Sequence, residues 1–329
     1  MNREENMVTL ADIAKEVGTS VNTVSRALRN CSDISSETKE KVKLAAERMG
    51  YVPNKIAEFL RSKRSNIVSV IIASLTNPFF SISIEYMLDY MVERDYRALI
   101  TVKKGNMRVE KQDVVQCIQN GASGIISFLD ISSDAIDYCE QNKIPFLLCG
   151  NKPREERVSA IYTDGHQCGR IVAQEAIALK AKRPCYVATQ ARKNDLDDRG
   201  RGYFSELEAS GFGCDVYSYD YYERRESQKF IVNAVLENKN DFIFCYNDEI
   251  ALIVSEAVQD IKDFHPTIYG VDRLGEYLSY CSGIGSAGAK ISSIGRRCAQ
   301  LILRNIENYD GKVIKELLPV DLIRCSQYE

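Results

Sequence analysis

The sequence has few of the residues from which metal sites and acid–base catalysts are usually built. It contains two histidines, His166 and His265, and 11 cysteines that include no CxxC pair. Metal-ligand spacing is therefore absent, and no Ser/His/Asp grouping of a nucleophilic enzyme can be recognised. Several cysteines lie inside apolar runs such as PFLLC and FIFCY, where a free thiol packs as a small hydrophobe in a reducing compartment. We predict no catalytic residue, no metal and no cofactor.

The sequence also lacks a long apolar run. No stretch approaches the ~20 apolar residues that a membrane-spanning helix needs. The opening segment, MNREENMVTL, carries three charges instead of the apolar core of a secretory signal. We therefore expect a cytoplasmic protein with no membrane partner.

Length and charge indicate more than one folding unit. The chain has 329 residues, of which 45% are hydrophobic and 27% charged, so it has the composition of an ordinary globular protein and room for two or three domains. Residues 1–65 contain 12 Lys+Arg and 9 Asp+Glu, whereas the remainder contains 31 and 37. A basic head on an acidic body favours a polyanionic partner at one end, although an ordinary solvated surface can carry the same excess.

The head is predicted to form three short helices. Thr9 and Asp12 have capping-box spacing at the start of the first helix, and Gly18 is placed to end it. Ser20 and Ser35 are placed to cap the second and third helices. Apolar residues at helical spacing form the inner faces: Leu10, Ile13, Ala14 and Val17; Val21, Val24 and Leu28; and Val42, Ala45, Ala46 and Met49. Two short helices joined by a tight turn that contains glycine are typical of a helix-turn-helix.

The second helix offers an unusual outer face. Its polar residues include no Glu or Lys, the usual residues of a solvated helix; they are Asn22, Thr23, Ser25, Arg26 and Arg29. Short polar groups with arginine are the side chains that contact phosphates and base edges. This pattern favours DNA binding over the alternative of a small three-helix bundle without a partner.

From residue 66 onward, short apolar runs alternate with segments of helical length. The predicted strands are 67–73, 97–102, 124–128, 145–149, 185–189, 242–246 and 267–271, and the predicted helices are 79–94, 108–120, 164–180, 199–210, 227–238 and 248–261. This alternation indicates parallel sheets covered by helices on both faces. So many strands fit two doubly wound lobes better than one sheet, and ligands of such folds bind at the carboxyl ends of the strands.

Several segments carry a resemblance to a known family. VTLADIAKEVGTSVNTVSRALRN and SSETKEKVKLAAERMGYVPNKIAEFLRSKRS resemble the head of LacI/GalR (lactose-repressor/galactose-repressor) regulators, and IVSVIIASLTNPFF resembles their first core strand. RGRGYFSEL, FCYNDEIAL, YGVDRLGEYL, SSIGRRCAQLILRNIEN and LLPVDLIRCS resemble later core segments in the family's order. The resemblance spans nearly the whole chain. It implies an α/β fold in which a three-helix helix-turn-helix head precedes two doubly wound lobes that form a periplasmic-binding-protein-like core.

The resemblance also implies an organisation and partners. The helix-turn-helix head would occupy residues 1–53 and a hinge helix with linker 54–65. The core, 66–329, would divide into an N-lobe (about 66–163 and 291–319) and a C-lobe (about 164–290 and 320–329). A regulator of this kind, here expected to be a repressor, binds a double-stranded, palindromic operator as a homodimer, because one head reads only one half-site.

DNA-contacting residues are carried over by the resemblance. Val21, Asn22 and Arg26 would contact bases, with Thr23 and Ser25 nearer the backbone, and Leu60 would wedge into the minor groove from the hinge helix. The alternative for Leu60 is the buried face of a linker helix. The full set is Thr9, Ser20, Val21, Asn22, Thr23, Ser25, Arg26, Asn30, Tyr51, Asn54, Ala57 and Leu60.

The effector site is carried over in the same way. Its residues would be Thr76, Asn77, Phe79, Phe80, Asn151, Asp164, Arg199, Asn247 and Asp272. Carboxylates, amides and an aromatic wall suit a polyol, so a sugar-like ligand is expected, with a nucleobase as the alternative. Each residue also has a structural interpretation: Asn247 can cap a helix, Arg199 can be a surface residue, and Phe79 and Phe80 can belong to the core. Asn151 follows a strand where the family often has an acidic residue, which leaves the effector class open.

Two other functions are weighed against DNA-binding regulation. Gly283–Gly288 satisfies GxGxxG, but it lies late in the chain and lacks the strand context of a dinucleotide site. A solute-binding protein would leave the head unused and would need an export signal. An enzyme acting on a sugar or nucleotide would need a catalytic grouping, which the sequence lacks.

Overall fold

The structure, a computed structural model, describes residues 8–52, 65–105, 107–189 and 196–325. The chain divides into two compact units, Met1–Arg64 and Ser65–Glu329. We refer to the first as the head and to the second as the core. The predicted α/β architecture of a helical head and two lobes with largely parallel sheets is confirmed.

The head consists, within residues 8–52, of helices α1 Leu10–Val17, α2 Val21–Leu28 and α3 Ser36–Met49. Their start and stop signals act as predicted. Thr9, Ser20 and Ser35 accept hydrogen bonds from the backbone N–H three residues further on, and Gly18 and Gly50 end α1 and α3 with left-handed backbone. The three helices enclose a small core that includes Ile13, Val24 and Val42, all fully buried. A helix-turn-helix of this size is therefore stabilised by its caps as well as by its core.

The N-lobe is built on a parallel sheet whose spatial order is β13-β7-β6-β4-β1-β2. Its strands are β1 Ile67–Ile72, β2 Arg97–Val102, β4 Ala122–Ser127, β6 Phe146–Gly150, β7 Ser159–Thr163 and β13 Lys315–Leu318. Its helices are α4 Pro78–Val92, α5 Lys111–Gln119, α6 Ser133–Gln141 and α11 Ile291–Glu307, and the short strands β3 Arg108–Val109 and β5 Asp130–Ile131 form a separate pair. The two faces of the sheet are buried in separate cores, one under α4 and α11 and one under α5 and α6.

The C-lobe repeats this arrangement. Its sheet has the order β14-β12-β11-β10-β8-β9, and only β14 runs antiparallel to its neighbour among the strands described. The strands are β8 Pro184–Thr189, β9 Asp215–Tyr219, β10 Phe242–Cys245, β11 Thr267–Val271, β12 Gly285–Gly288 and β14 Asp321–Ile323. The helices are α7 Gly165–Ala178, α8 Asp198–Ala209, α9 Arg224–Glu237 and α10 Asp248–Val258, and two 3₁₀ turns follow at Leu274–Glu276 and Ser279–Cys281.

The last four residues of the GxGxxG stretch form strand β12, Gly285–Gly288. All four residues of β12 are buried, and the strand lies between β11 and the edge strand β14. A Cβ atom on Gly285 would lie 2.1 Å from Cε1 of Tyr269, so the aromatic ring occupies the space of a side chain. The glycine therefore serves close packing between β11 and β12, which the sequence pattern alone does not reveal.

Candidate functional site

The first candidate surface is the solvent side of α2. Oγ of Ser20 accepts a hydrogen bond from the backbone N–H of Thr23 at 3.1 Å, and the two hydroxyl oxygens lie 2.8 Å apart. Val21 and Asn22, which follow the cap, are exposed. The prediction that Val21 belongs to the inner face of this helix is wrong, since its exposed fraction is 46%. Because the first turn is capped, these side chains project from a fixed backbone, as a helix that enters a DNA groove requires.

Arginines extend this surface by a further turn. The side chain of Arg26 is 42% exposed, and its Nη2 lies 2.5 Å from Oδ2 of Asp33. Nε of Arg29 donates a hydrogen bond to the carbonyl oxygen of Ser25 at 3.1 Å, at the end of the helix. The accessible side of α2 therefore offers Asn22, whose amide can pair with adenine, and Arg26, whose guanidinium can pair with guanine.

Ser25 does not share this surface, and the expectation that it faces outward is wrong. Its exposed fraction is 6%. Ser25 lies one residue after the buried Val24 and three residues before Leu28, so it belongs to the covered side of an eight-residue helix. A serine is small enough to fit against the other helices of the head, and for this reason its polarity was a poor guide to its direction.

The other head residues lie at the ends of helices. Thr9 is exposed as the N-cap of α1, and Asn30 is exposed just after α2 with a φ of 58°. Tyr51 follows α3 and packs, partly buried, against the head core. The remaining predicted contacts fall outside the described residues; they are Asn54, Ala57 and Leu60.

The second candidate site lies in the core and begins with Arg199, at the start of α8. Its Nη1 donates a hydrogen bond to the carbonyl oxygen of Tyr246, and its guanidinium lies 4.5 Å from the centre of the Tyr246 ring. Nη2 is 3.8 Å from Oδ1 of Asp272, which follows β11. Both charged side chains are largely buried. Arg199 is therefore not a surface residue of its helix, and it forms one wall with the predicted Asp272.

Burial controls the charge of the carboxylates beside this arginine. Burial raises the pKa of Asp272 to about 8, Arg199 opposes the increase, and Asp248 and Glu249 add to it. Asp248 is fully buried; its oxygens accept hydrogen bonds from the Ser286 hydroxyl at 2.7 Å and the Leu274 backbone N–H at 2.8 Å. Asp248 therefore connects the turn that follows Asp272 to β12.

Asn247 belongs to a second polar group on the C-lobe. Its Oδ1 caps α10 by accepting from the Ile250 N–H at 3.0 Å, and its Nδ2 donates to the Tyr221 hydroxyl at 2.9 Å. The carboxylate of Glu249 lies 3.4 Å from Nη1 of Arg224, the first residue of α9. Asn247 thus caps a helix, as the structural interpretation proposed, and its amide also holds an aromatic hydroxyl.

The N-lobe meets this group through the loop after β1. Nη2 of Arg224 donates to Oγ1 of Thr76 at 3.4 Å, a contact that joins the two lobes. Thr76 is exposed and hydrogen-bonded to Ser74, whereas Asn77 is 5% exposed and caps α4 through the Phe79 N–H at 2.9 Å. The predicted loop therefore reaches the C-lobe polar group.

The two phenylalanines predicted together with this loop lie in the first turn of α4 and pack against the N-lobe core. Phe79 and Phe80 pack edge-to-face on Phe128, with ring centres 5.8 and 5.1 Å apart, and both are partly buried. Asn151 is exposed after β6, and Asp164 is exposed as the N-cap of α7, where it accepts from the Gln167 N–H at 3.0 Å. The structure therefore brings Arg199 and Asp272 into contact and leaves Asn151 and Asp164 in solvent.

Sequence reasoning missed several residues of this site. They are Tyr221, Arg224, Tyr246, Asp248 and Glu249. Tyr246, Asp248 and Glu249 could have been found, because they follow β10 directly and flank the predicted Asn247. Arg224 could not, because it lies in the charged run YERRES, which is also typical of a solvated helix.

Within the described ranges, no group of three or more His, Cys, Asp and Glu side chains could hold a metal ion. No described helix is long and apolar enough to span a membrane.

Two protein families match the chain. Residues 9–54 match the family "Bacterial regulatory proteins, lacI family", and residues 68–305 match "Periplasmic binding protein domain". The ribose operon repressor of Lactococcus lactis subsp. lactis is 23% identical over 327 residues, which cover 96% of this chain and 97% of the relative. The alignment therefore includes both the head and the core.

Solved structures share the fold. A Lac repressor dimer bound to operator and the anti-inducer ONPF has a TM-score of 0.80 at 20% identity, and the match covers 98% of this chain and 99% of that one. A LacI family transcriptional regulator from Enterococcus faecium with bound ribose has a TM-score of 0.67 at 19% identity, with 78% of this chain and 97% of that one covered.

Proposed function

Because this chain belongs to the LacI family of bacterial regulatory proteins, we propose that it is a cytoplasmic repressor that binds a palindromic operator as a homodimer under the control of a small polar ligand. Members of this family are DNA-binding regulators and not enzymes. The solvent side of α2 carries the proposal: an exposed Asn22 and Arg26 on a capped helix of a helix-turn-helix. We also propose that the chain is organised as a helix-turn-helix (1–53), a hinge (54–65) and a two-lobed effector-binding region (66–329).

The polar group of the core supports a sugar-like ligand. Arg199 and Asp272 can donate to and accept from hydroxyl groups, and Tyr221 and Tyr246 supply apolar ring faces beside them. A relative in this family is a ribose operon repressor, and one structural neighbour contains ribose. A nucleobase is the alternative, because the same amide, carboxylate and aromatic groups can bind a planar heterocycle.

Control of DNA binding requires that the ligand distinguish two arrangements of the lobes. The contact between Arg224 and Thr76 joins the lobes at the edge of the site. A ligand that touches both Arg199 and the Thr76 loop binds best when the lobes are close together. Its differential affinity then shifts the population toward the closed arrangement, which changes the affinity for operator.

An apolar face of the N-lobe supports the homodimer. Four large apolar side chains are exposed there, Leu75 (69%), Val92 (66%), Leu99 (37%) and Ile100 (43%). Leu75 and Ile100 line a groove between the loop after β1, α4 and β2, and β2 is the edge strand of its sheet. Apolar surface at an unpaired strand edge is costly in a monomer. A structural neighbour of the same fold is a dimer, so we propose that this face joins two copies of the chain.

The operator and the effector can be found in one series of experiments. The full-length protein is used to select sites from random double-stranded DNA, and the expected product is an inverted repeat. Asn22→Ala and Arg26→Ala should each cost roughly 1–3 kcal/mol at the selected site and much less on random DNA. Equal losses on both DNAs would contradict base reading by α2.

The ligand is then sought by a thermal-shift screen of sugars and nucleobases. A ligand present at a hundred times its dissociation constant stabilises the protein by about 2.7 kcal/mol. Operator binding is measured with and without the ligand for wild type, Arg199→Ala and Asp272→Ala. Both variants should bind operator, but their operator affinity should no longer change at the ligand concentrations that affect wild type. If the ligand concentration at half-maximal effect is unchanged in both variants, the assignment of the site is refuted.

A further inference from the structure

A single ion pair connects α2 to the loop that follows it. Nη2 of Arg26 and Oδ2 of Asp33 are 2.5 Å apart, although both side chains are exposed, by 42% and 48%. Asp33 lies between α2 and α3, two residues before the Ser35 N-cap. Exposed ion pairs contribute little to folding stability, so the head does not need this contact in order to fold. A charge-assisted bond of this length instead fixes the direction of the guanidinium.

The carboxylate stands where negative charge opposes DNA binding. The hydrogen bond from Arg26 lowers the pKa of Asp33, and the bond to Asp33 raises the pKa of Arg26, so both groups are charged at neutral pH. On the DNA-facing side of the head, an ionised carboxylate repels phosphates and cancels part of the attraction of the arginine. We therefore expect Asp33 to reduce general affinity for DNA. Its presence at this position needs another explanation.

We propose that Asp33 is a positioning residue for base recognition: it holds one edge of the Arg26 guanidinium so that the remaining donors face a guanine in the major groove. The proposal rests on the proposed function, in which Arg26 reads a base. Arginine has five N–H donors in a rigid fork, and a bidentate pair with O6 and N7 of guanine uses two of them. A guanidinium held from one side loses less freedom when it pairs, and it is less able to turn toward a phosphate or another base.

The test compares Asp33→Asn with a matched control, Glu37→Gln. Each change removes one negative charge from the head, but Glu37 pairs with Lys41 along α3, at 2.8 Å, and not with α2. Full-length proteins are compared by selection from random DNA and by titration of the selected operator, single-base variants of it and random DNA. Both variants should bind random DNA more tightly than wild type. Only Asp33→Asn should also weaken the preference for guanine at the Arg26 position, by about fivefold or more.

Further variants separate positioning from other roles. Asp33→Glu, which keeps the charge, should retain most of the guanine preference. In an Arg26→Ala background, Asp33→Asn should change base preference no further, because Asp33 acts through the arginine. A purely structural role predicts the opposite pattern: loss of helical content in the head without a selective change at one base pair.

Failure of the inference can be distinguished from failure of the proposed function. If Arg26→Ala removes the guanine preference but Asp33→Asn behaves like Glu37→Gln, base reading stands and the positioning role is overturned. If Asp33→Asn still changes preference in the Arg26→Ala background, Asp33 contacts DNA itself and the positioning role is again overturned. If Arg26→Ala leaves base preference unchanged, both proposals fail, because Asp33 has no reading arginine to position.

Discussion

Asp272 combines backbone strain with a buried carboxyl group. Its φ is 126°, its exposed fraction is 8%, and its carboxylate faces Arg199 at 3.8 Å. A non-glycine residue in this conformation costs about 1–3 kcal/mol and persists only where the surroundings hold it. Here the Asp272 N–H donates to the carbonyl oxygen of Ala287 at 3.0 Å, and Asp248 fixes the following turn. The strain therefore marks a position at which the fold gives up stability to orient one carboxylate.

This carboxylate should make stability depend on pH. Its folded-state pKa is raised, to about 8, above the ordinary value of an unfolded aspartate, so the folded state binds the extra proton between these values. The stabilisation that this proton gives is complete below the pKa of the unfolded state. It is lost as the pH rises through the pKa of the folded state. Relative to Asp272→Asn, wild type should lose unfolding free energy by up to about 1.4 kcal/mol per pH unit between about pH 5 and 8.

The measurement is urea unfolding of wild type and Asp272→Asn at several pH values in this range. Asp164→Asn is the matched control, because Asp164 is an exposed helix cap. Its pH dependence should follow that of wild type. Parallel curves for wild type and Asp272→Asn would show that the buried carboxylate is ionised throughout the range and would refute the prediction.

At the scale of elements, α7 and α8 touch through their backbones. A Cβ atom on Gly169 would lie 1.9 Å from the carbonyl oxygen of Arg199, and one on Gly202 would lie 2.0 Å from that of His166. The two helices can therefore approach only because each has a glycine at the contact. Since Arg199 lies in the first turn of α8, this close approach also sets where its guanidinium lies.

Gly169→Ala should separate the helices. The added methyl group overlaps backbone that cannot rotate away, so we expect a loss of at least about 1–3 kcal/mol in unfolding free energy. We also expect a weaker ligand response, because Arg199 moves with α8. Gly213→Ala is the control, since a Cβ there meets nothing within 4 Å. Equal denaturation midpoints for the two variants would contradict the close contact.

Elements with a chemical start signal or a continuous apolar run were predictable from sequence. Thr9, Ser20 and Ser35 begin their helices as expected, and the run IVSVII became β1. Strands β9 (DVYSY) and β12 (GSAG) were missed, because tyrosine hydroxyls and small residues interrupt the apolar pattern. Those strands are stabilised by neighbours distant in the chain, such as Asn240, which binds the Tyr217 hydroxyl at 2.8 Å.

The same limit applies to the site. Family resemblance identified Arg199 and Asp272, and the structure brings them into contact. The resemblance could not indicate that Arg224 contacts Thr76. The two residues are 148 positions apart, and nothing in either segment specifies the other. Local patterns therefore located the strand ends at which the site lies, and only the packing of the two lobes showed which side chains meet there.

At the scale of the whole molecule, the apolar N-lobe face predicts the assembly state. Ile100→Glu adds a charge to the exposed edge strand without removing a core residue, so the core should stay folded while a dimer through this face dissociates. Sedimentation should show a lighter species, and operator affinity should fall with it. Leu179→Glu is the control, at a leucine that is 54% exposed after α7. If Ile100→Glu has the mass of wild type, another surface joins the subunits.

The order of strands along the chain has a consequence for synthesis. The edge strands β13 and β14, one in each sheet, come from residues 315–323, so neither sheet has its full set of strands until nearly the whole chain has left the ribosome. Synthesis proceeds at about 5–20 residues per second, so the last strand of the N-lobe sheet is made on the order of tens of seconds after β1. The head is a contiguous segment, and its contacts are complete after α3. Newly made chains therefore acquire a surface for DNA well before they acquire a core that can respond to a ligand.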